Sequence, residues 1–272
     1  MADLLEVRKY WQEHPLHSYE LGALWTPKFF ENLARIKRED IEKFALRFWA
    51  FDSFAGKKIL DVGCGPGWFT VQYALGGAEV TAVDLTPRAV DLTRKYLEYK
   101  KIGANVQEAN AENMPFSDRF FDFVLSAGVL HHTPYPEAAF RECFRVLKRG
   151  GVAKIVLYHK GLLHRKGVFG LMRMLMRFLR VRHPGSDLSQ TAKDPDDFIR
   201  QYDGSSNPVG IGKTTAEWSR DLRQAGFLIQ RRELHYFPSR FVPFHRWIPE
   251  FVHAFLDRTF GTLIYFDLRK PV

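Results

Sequence analysis

The chain has few of the residues that would decide its class outright. Two cysteines in 272 residues, Cys64 and Cys143, give neither a disulfide framework nor a metal-ligand spacing, which points to a reduced compartment and to no metal site. No apolar run approaches the roughly 18–20 residues of a membrane span. The N-terminal stretch has neither the basic nor the apolar region of a secretion signal, so a cytoplasmic setting is expected. Internal repeats and low-complexity tracts are missing as well. What remains is an ordinary globular composition, 46% hydrophobic and 15% aromatic, which excludes a disordered chain. The charge is uneven. Residues 1–150 hold 20 basic and 20 acidic side chains and residues 151–272 hold 20 and 11, so the whole net charge of +9 lies in the second half.

The most informative stretch is 58–70. A short apolar run, Ile59 to Val62, reads as a buried strand carrying one acid, Asp61, and it leads into Gly63, Gly65 and Gly67. Alternate glycines let the backbone turn tightly and approach a ligand. A helix starting at Trp68 would aim its first free N–H groups into the same space. A dinucleotide turn wants a third glycine where this chain has Trp68, and a pyrophosphate would be repelled by Asp61, whereas a cationic amino-acid ligand would not.

Downstream the pattern alternates. Strands are expected at 79–84, 105–109, 121–126 and 152–158, with helices at 87–101 and 135–147, the latter stopping at Gly150-Gly151. Strands alternating with helices of this length predict an α/β fold with a parallel sheet covered on both faces. Residues 1–54 read as a helical N-terminal cover and 55–272 as the main domain. An insertion at 159–213 follows the fifth strand, a helix at 214–225 and a strand at 227–234 resume the pattern, and an aromatic-rich linker at 235–260 precedes a last strand at 263–268.

Five stretches in order resemble class I S-adenosylmethionine-dependent methyltransferases, in the group of quinone-biosynthesis and small-molecule enzymes. They are Ile59 to Gly67, Val80 to Leu85, Asn110 to Phe116, Phe121 to Thr133, and Glu142 to Leu157. The likeness is close over about 55–160 and looser over 214–270. It implies a Rossmann-like seven-stranded, mostly parallel sheet with the last strand antiparallel. It implies S-adenosyl-L-methionine as cofactor and S-adenosyl-L-homocysteine as product. It assigns Asp61, Gly63, Cys64, Gly65, Gly67 and Trp68 to the methionine end and the turn. Asp84 goes to the ribose and Leu85 beside the adenine. Ala111, Glu112 and Asn113 go to the adenine edge, and Ser126 to the floor of the site.

For proton removal, His131 and His132 are the natural residues, because imidazole titrates near neutrality. Tyr158 and His159 border the acceptor space in this fold. Asp203 and Asn207, in Asp-Gly-Ser-Ser-Asn-Pro, resemble a substrate-contacting segment of some small-molecule members of the family. After the fourth strand the chain has Ser-Ala-Gly-Val rather than Asn-Pro-Pro-Tyr, which argues against nucleobase amino-methylation.

The stretch 160–182 carries seven basic residues and no acid. It is expected to be a lid helix, a contact with an anionic membrane at the inner surface, or both. The expected activity is methylation of a small, partly apolar acceptor at oxygen, carbon or nitrogen. The alternatives are an RNA methyltransferase using the basic half and a non-catalytic S-adenosylmethionine-binding partner protein.

Overall fold

The computed structural model describes residues 3–16, 21–178, 191–237 and 247–272. Of the basic stretch, Leu179, Arg180 and Arg182 lie outside these, as do residues 183–190 of the insertion and Phe241 and Phe244 of the aromatic linker.

Helix α1 (Leu4–Glu13) opens with a capping box in which Asp3 and Glu6 exchange backbone hydrogen bonds. Thr26 caps α2 (Pro27–Ile36), with Pro at its first turn. Beyond α2 the helical cover does not continue as one α-helix. A π-helical turn at Lys37–Ile41 follows α2, then a short α3 (Leu46–Trp49) and a 3-10 turn at Phe51–Phe54.

Strand β1 (Lys58–Val62) leads into α4 (Trp68–Leu75), and β2 (Glu79–Asp84) into α5 (Pro87–Lys100), which Thr86 caps. Strands β3 (Asn105–Glu108) and β4 (Phe121–Ala127) follow, then a 3-10 turn at Leu130–His132 and α6 (Pro136–Val146). Helix α6 ends one residue early, because Leu147–Tyr158 is already strand β5. Gly150-Gly151 therefore lies inside that strand. The β4–β5 register jumps from Phe121↔Leu147 to Phe123↔Val152, and Gly150 takes a left-handed turn there, so the glycines serve a bulge and not a helix end.

The insertion holds a 3-10 turn at Leu162–His164, α7 (Lys166–Phe178), α8 (Pro195–Arg200) and a further 3-10 turn at Gln201–Asp203. The capping box of Thr214 and Glu217 starts α9 (Thr215–Gln224), before β6 (Leu228–His235). The expected aromatic linker contains a helix, α10 (Glu250–Phe260), before β7 (Leu263–Arg269).

The seven strands run in the order β3-β2-β1-β4-β5-β7-β6, with β7 antiparallel to both its neighbours and the rest parallel. This is the Rossmann-like sheet with an antiparallel end and a helical N-terminal cover. Alternation along β1 sends Ile59 to one core, with Phe29, Phe30, Trp49, Trp68 and Tyr96, and Leu60 and Val62 to the other, with Phe140, Trp218, Phe227 and Phe266. Neighbouring β1 and β4 continue in opposite directions along the sheet order. Their carboxyl ends therefore form the switch point where such sheets bind ligands.

Trp218 ties the second core to that edge. It is fully buried, and its indole N–H donates to the Tyr158 carbonyl at 2.8 Å. Trp218→Ala is expected to cost about 3–5 kcal/mol in a urea melt, from lost packing and an orphaned carbonyl. A change under about 1 kcal/mol would mean that α9 is not needed to hold the end of β5.

Candidate functional site

At the carboxyl ends of β1, β2, β4 and β5 lies one cavity of about 580 Å³. One part is walled by Gly63 to Pro66, Val83 to Thr86, Ala109 to Ala111 and Ala127 to Val129. Gly63 takes φ +79°, and a Cβ there would stand 2.4 Å from Val129. Gly65 also has positive φ, but a Cβ on it would meet nothing within 4 Å, so its backbone faces open cavity. Asp84 holds the turn in shape. Its Oδ2 accepts the Gly65 N–H at 3.0 Å, and its Oδ1 accepts the N–H and hydroxyl of Thr86, each at 3.0 Å. Burial raises the pKa of this carboxyl.

Of the residues singled out for the cofactor, Gly63, Cys64, Gly65, Trp68, Asp84, Leu85 and Ala111 line the cavity. Five others do not, each for a local reason. Asp61 is buried in β1 and accepts the Thr70 hydroxyl at 2.6 Å, and burial raises its pKa to about 7. Gly67 starts α4 with its back against Thr93. Strand alternation points Ser126 away from the cavity that Ala127 reaches, and its hydroxyl donates to the Val62 carbonyl at 2.9 Å. The carboxylate of Glu112 accepts the Tyr135 N–H at 2.8 Å, next to the start of α6. The Asn113 N–H closes a turn onto the Asn110 carbonyl at 3.0 Å, which leaves Asn110 in the wall instead.

Lys37 and Glu42 line the same cavity and were not expected there. Both are almost completely buried. Lys37 stands 5.3 Å from the centre of the Phe69 ring. Glu42 accepts the Trp49 indole N–H at 2.7 Å and the Tyr265 hydroxyl at 3.1 Å, and burial raises its pKa. The π-helical turn between them brings residues five apart onto one side. Nothing in the sequence singles them out, because they stand in the charged run Lys-Arg-Glu-Asp-Ile-Glu-Lys at 37–43. The Trp68 indole N–H is buried, and among the described residues it has no hydrogen-bond partner.

The other part of the cavity is mostly apolar and aromatic, with Trp11, Met172, Met176, Phe198, Phe237 and Leu256 in its wall. A compact polar cluster stands among them. Asp203 accepts the Tyr158 hydroxyl through Oδ2, and His132 Nε2 lies 3.1 Å from the same oxygen. His132 Nδ1 is 2.6 Å from the Val209 carbonyl, which requires that nitrogen to carry a hydrogen. The Asp203 carbonyl accepts the Tyr10 hydroxyl, and Trp11 meets the His132 ring edge-on at 5.0 Å, so α1 closes over the cluster. His132, Tyr158 and Asp203, far apart in sequence, are thus brought together.

His131 and His159 are not part of the wall. Successive residues of a 3-10 turn point about 120° apart, so His131 is sent into the core when His132 faces the cavity. Its ring lies 3.9 Å from that of Tyr158, and burial holds it well below the usual imidazole range, so it is a neutral spacer. Nδ1 of His159 lies 3.2 Å from the Gly261 carbonyl. Asn207 is buried behind His132, its amide donating to the Arg200 carbonyl at 3.0 Å.

A second polar pair, His164 and Tyr202, lines the cavity without any local signal in the sequence. The Gly161 N–H donates to His164 Nδ1 at 3.2 Å, so the proton of the neutral ring sits on Nε2. Nε2 then donates to the Tyr202 oxygen at 2.8 Å, and the tyrosine's own hydrogen is directed elsewhere. Burial lowers the His164 pKa to about 4. The unfolded chain therefore binds more protons at this residue between roughly pH 6.5 and pH 4. Wild type is expected to lose stability relative to His164→Gln as pH falls through that window, measured by urea melts at stepped pH. Parallel curves would contradict a neutral, buried His164.

A family model described as a methyltransferase domain matches residues 60–155. The ubiquinone biosynthesis O-methyltransferase of Pseudomonas putida is 42% identical over 106 residues, 36% of this chain and 43% of that protein. The 2-methyl-6-phytyl-1,4-hydroquinone methyltransferase 1 of Oryza sativa is 28% identical over 177 residues, 64% of this chain and 48% of that protein. The matches thus span less than half the length of these curated relatives. Among solved structures, an S-adenosylmethionine-dependent methyltransferase from Mesorhizobium loti superposes with a TM-score of 0.57 at 22% identity, covering 84% of this chain and 97% of that one. The cyclase SpnF superposes with a TM-score of 0.53 at 18% identity, covering 95% and 87%. Fold likeness at that identity speaks to architecture alone.

Proposed function

We propose that this chain, a member of the class I S-adenosylmethionine-dependent methyltransferases, transfers a methyl group to a hydroxyl oxygen of a small, largely apolar acceptor. The observation that carries this reading is the His132–Asp203–Tyr158 cluster, set in an apolar wall of the cavity that the glycine turn also lines. The printed name of one curated relative, a ubiquinone-biosynthesis O-methyltransferase, agrees with oxygen as the acceptor atom, and that of the other, a hydroquinone methyltransferase, agrees with a small, partly apolar acceptor.

The residues at the glycine end fit S-adenosylmethionine. Asp84 keeps one carboxylate lone pair, on Oδ2, beyond those used by the Gly65 N–H and by the N–H and hydroxyl of Thr86, suited to a ribose hydroxyl. The orphaned Trp68 N–H and the Lys37 ammonium suit a carboxylate, and Glu42 suits an ammonium group. Leu85, Asn110 and Ala111 offer a flat apolar slot with one polar edge. When bound, the cofactor supplies a sulfonium-linked methyl group open to in-line displacement.

The chain's own part is alignment and proton removal. Apolar walls hold the acceptor and exclude water. The acceptor's hydroxyl would give up its proton to the Asp203 carboxylate, whose Oδ2 His132 Nε2 faces at 3.1 Å. Tyr158 donates to the same carboxylate oxygen and fixes its direction. Tyr202, oriented by His164, offers a hydrogen to a second oxygen on the acceptor.

The test is incubation with methyl-labelled cofactor and a cell extract, followed by separation of solvent-extractable metabolites, RNA and protein. Label is expected in the extractable fraction. Asp203→Asn should slow it by about 10²–10⁴-fold with S-adenosylhomocysteine affinity unchanged. Label in RNA, or in no fraction, would overturn the reading.

A further inference from the structure

The two helices that wall the apolar part of the cavity also carry apolar side chains on their outer faces. Met172 and Met176 of α7, and Leu256 and Phe260 of α10, line the cavity. On α7, Leu171, Met174 and Phe178 form an exposed stripe at helical spacing, with Phe178 83% exposed, and the half-exposed Leu175 reaches from this stripe to the cavity. On α10, Phe251 and Phe255 are exposed four residues apart, and Phe251 is 77% exposed. Single exposed apolar residues are ordinary, but a group this large on two elements that wall the same cavity marks an interaction surface.

The charge around the patch names the partner. Lys160 to Phe178 contains five basic residues and no acid, and of the five Lys160 is paired with Asp196 at 2.6 Å. Arg177 is exposed beside the α7 stripe, and Arg258 is exposed on the same face of α10 as Phe251 and Phe255. The acids of α10 are engaged elsewhere. Glu250 bridges Lys43 at 3.3 Å, and Asp257 is buried against His235 at 2.7 Å. A symmetric contact between two copies would press this basic surface against itself. No helix of the described residues is long and apolar enough to cross a membrane.

We propose that α7 and α10 together dock on an anionic lipid surface, with Phe178, Phe251 and Phe255 in the acyl boundary and Arg177 and Arg258 among the headgroups. The cavity behind these helices then faces the bilayer, and an apolar acceptor reaches it without crossing water. Docking needs neither cofactor nor turnover, so it stands or falls apart from the methyl-transfer reading.

The test is co-sedimentation of the full chain, free of cofactor, with vesicles of phosphatidylcholine alone or mixed with phosphatidylglycerol. Binding is expected only to the mixed vesicles, weakening as salt rises. Phe251→Ser with Phe255→Ser should lower the partition at least roughly tenfold. Arg258→Gln should lower it roughly fivefold. Unchanged S-adenosylhomocysteine binding shows that these variants are folded. No binding to mixed vesicles, equal binding to both kinds, or a chain that buries the patch in a dimer would overturn the proposal.

Discussion

The Asp203 carboxylate is the contact on which the acceptor part of the site depends. It sits partly buried at the end of the insertion, where a lone charge would be costly. Its partners come from elsewhere in the chain. Tyr158 ends β5, His132 follows β4, and Tyr10 of α1 reaches the Asp203 backbone carbonyl. One acidic residue thus ties the insertion and the N-terminal cover to the sheet, and the three segments close one cavity. Each partner also limits the next. The His132 ring is held from both sides, by Asp203 and by the Val209 carbonyl, so its orientation is set before any ligand arrives.

The glycine end works on a different economy of contacts. Asp84 shapes the turn through the Gly65 N–H and its own loop through Thr86, and it lines the cavity with one lone pair of Oδ2 still unused by these bonds. The buried acid of β1, Asp61, supports from behind by holding Thr70 of α4. This end of the cavity is instead lined by the polar side chains of Asp84, Trp68, Lys37 and Glu42. This division explains why a carboxylate inside β1 is compatible with a ligand site that it never touches.

How much was legible in the sequence follows the range of the contacts. The strand, glycine turn and helix at 58–75 and the acid ending β2 rest on local patterns, and they fold as those patterns require, whereas the antiparallel last strand comes from the family resemblance and not from any local pattern. Misreadings arose where a pattern has two structural solutions. A double glycine ends helices, but here it serves a bulge in β5. The N-terminal cover is helical as expected, but a π-helical turn after α2 sets Lys37 and Glu42 on the cavity, and helical spacing alone does not tell the two kinds of turn apart. Adjacent histidines look equivalent in sequence, and the 3-10 turn gives them opposite fates. His164 and Tyr202 meet across 38 residues, and nothing local marks either.

The claim that joins these observations is that the cavity wall formed by Gly65 and Asp84 seats the cofactor. Calorimetric titration of S-adenosylhomocysteine into wild type and Asp84→Ala tests it most directly. The account predicts a single site per chain, weakened at least roughly tenfold by loss of the carboxylate's charged hydrogen bonds. Equal affinity in the two proteins, with the variant folded, would contradict it.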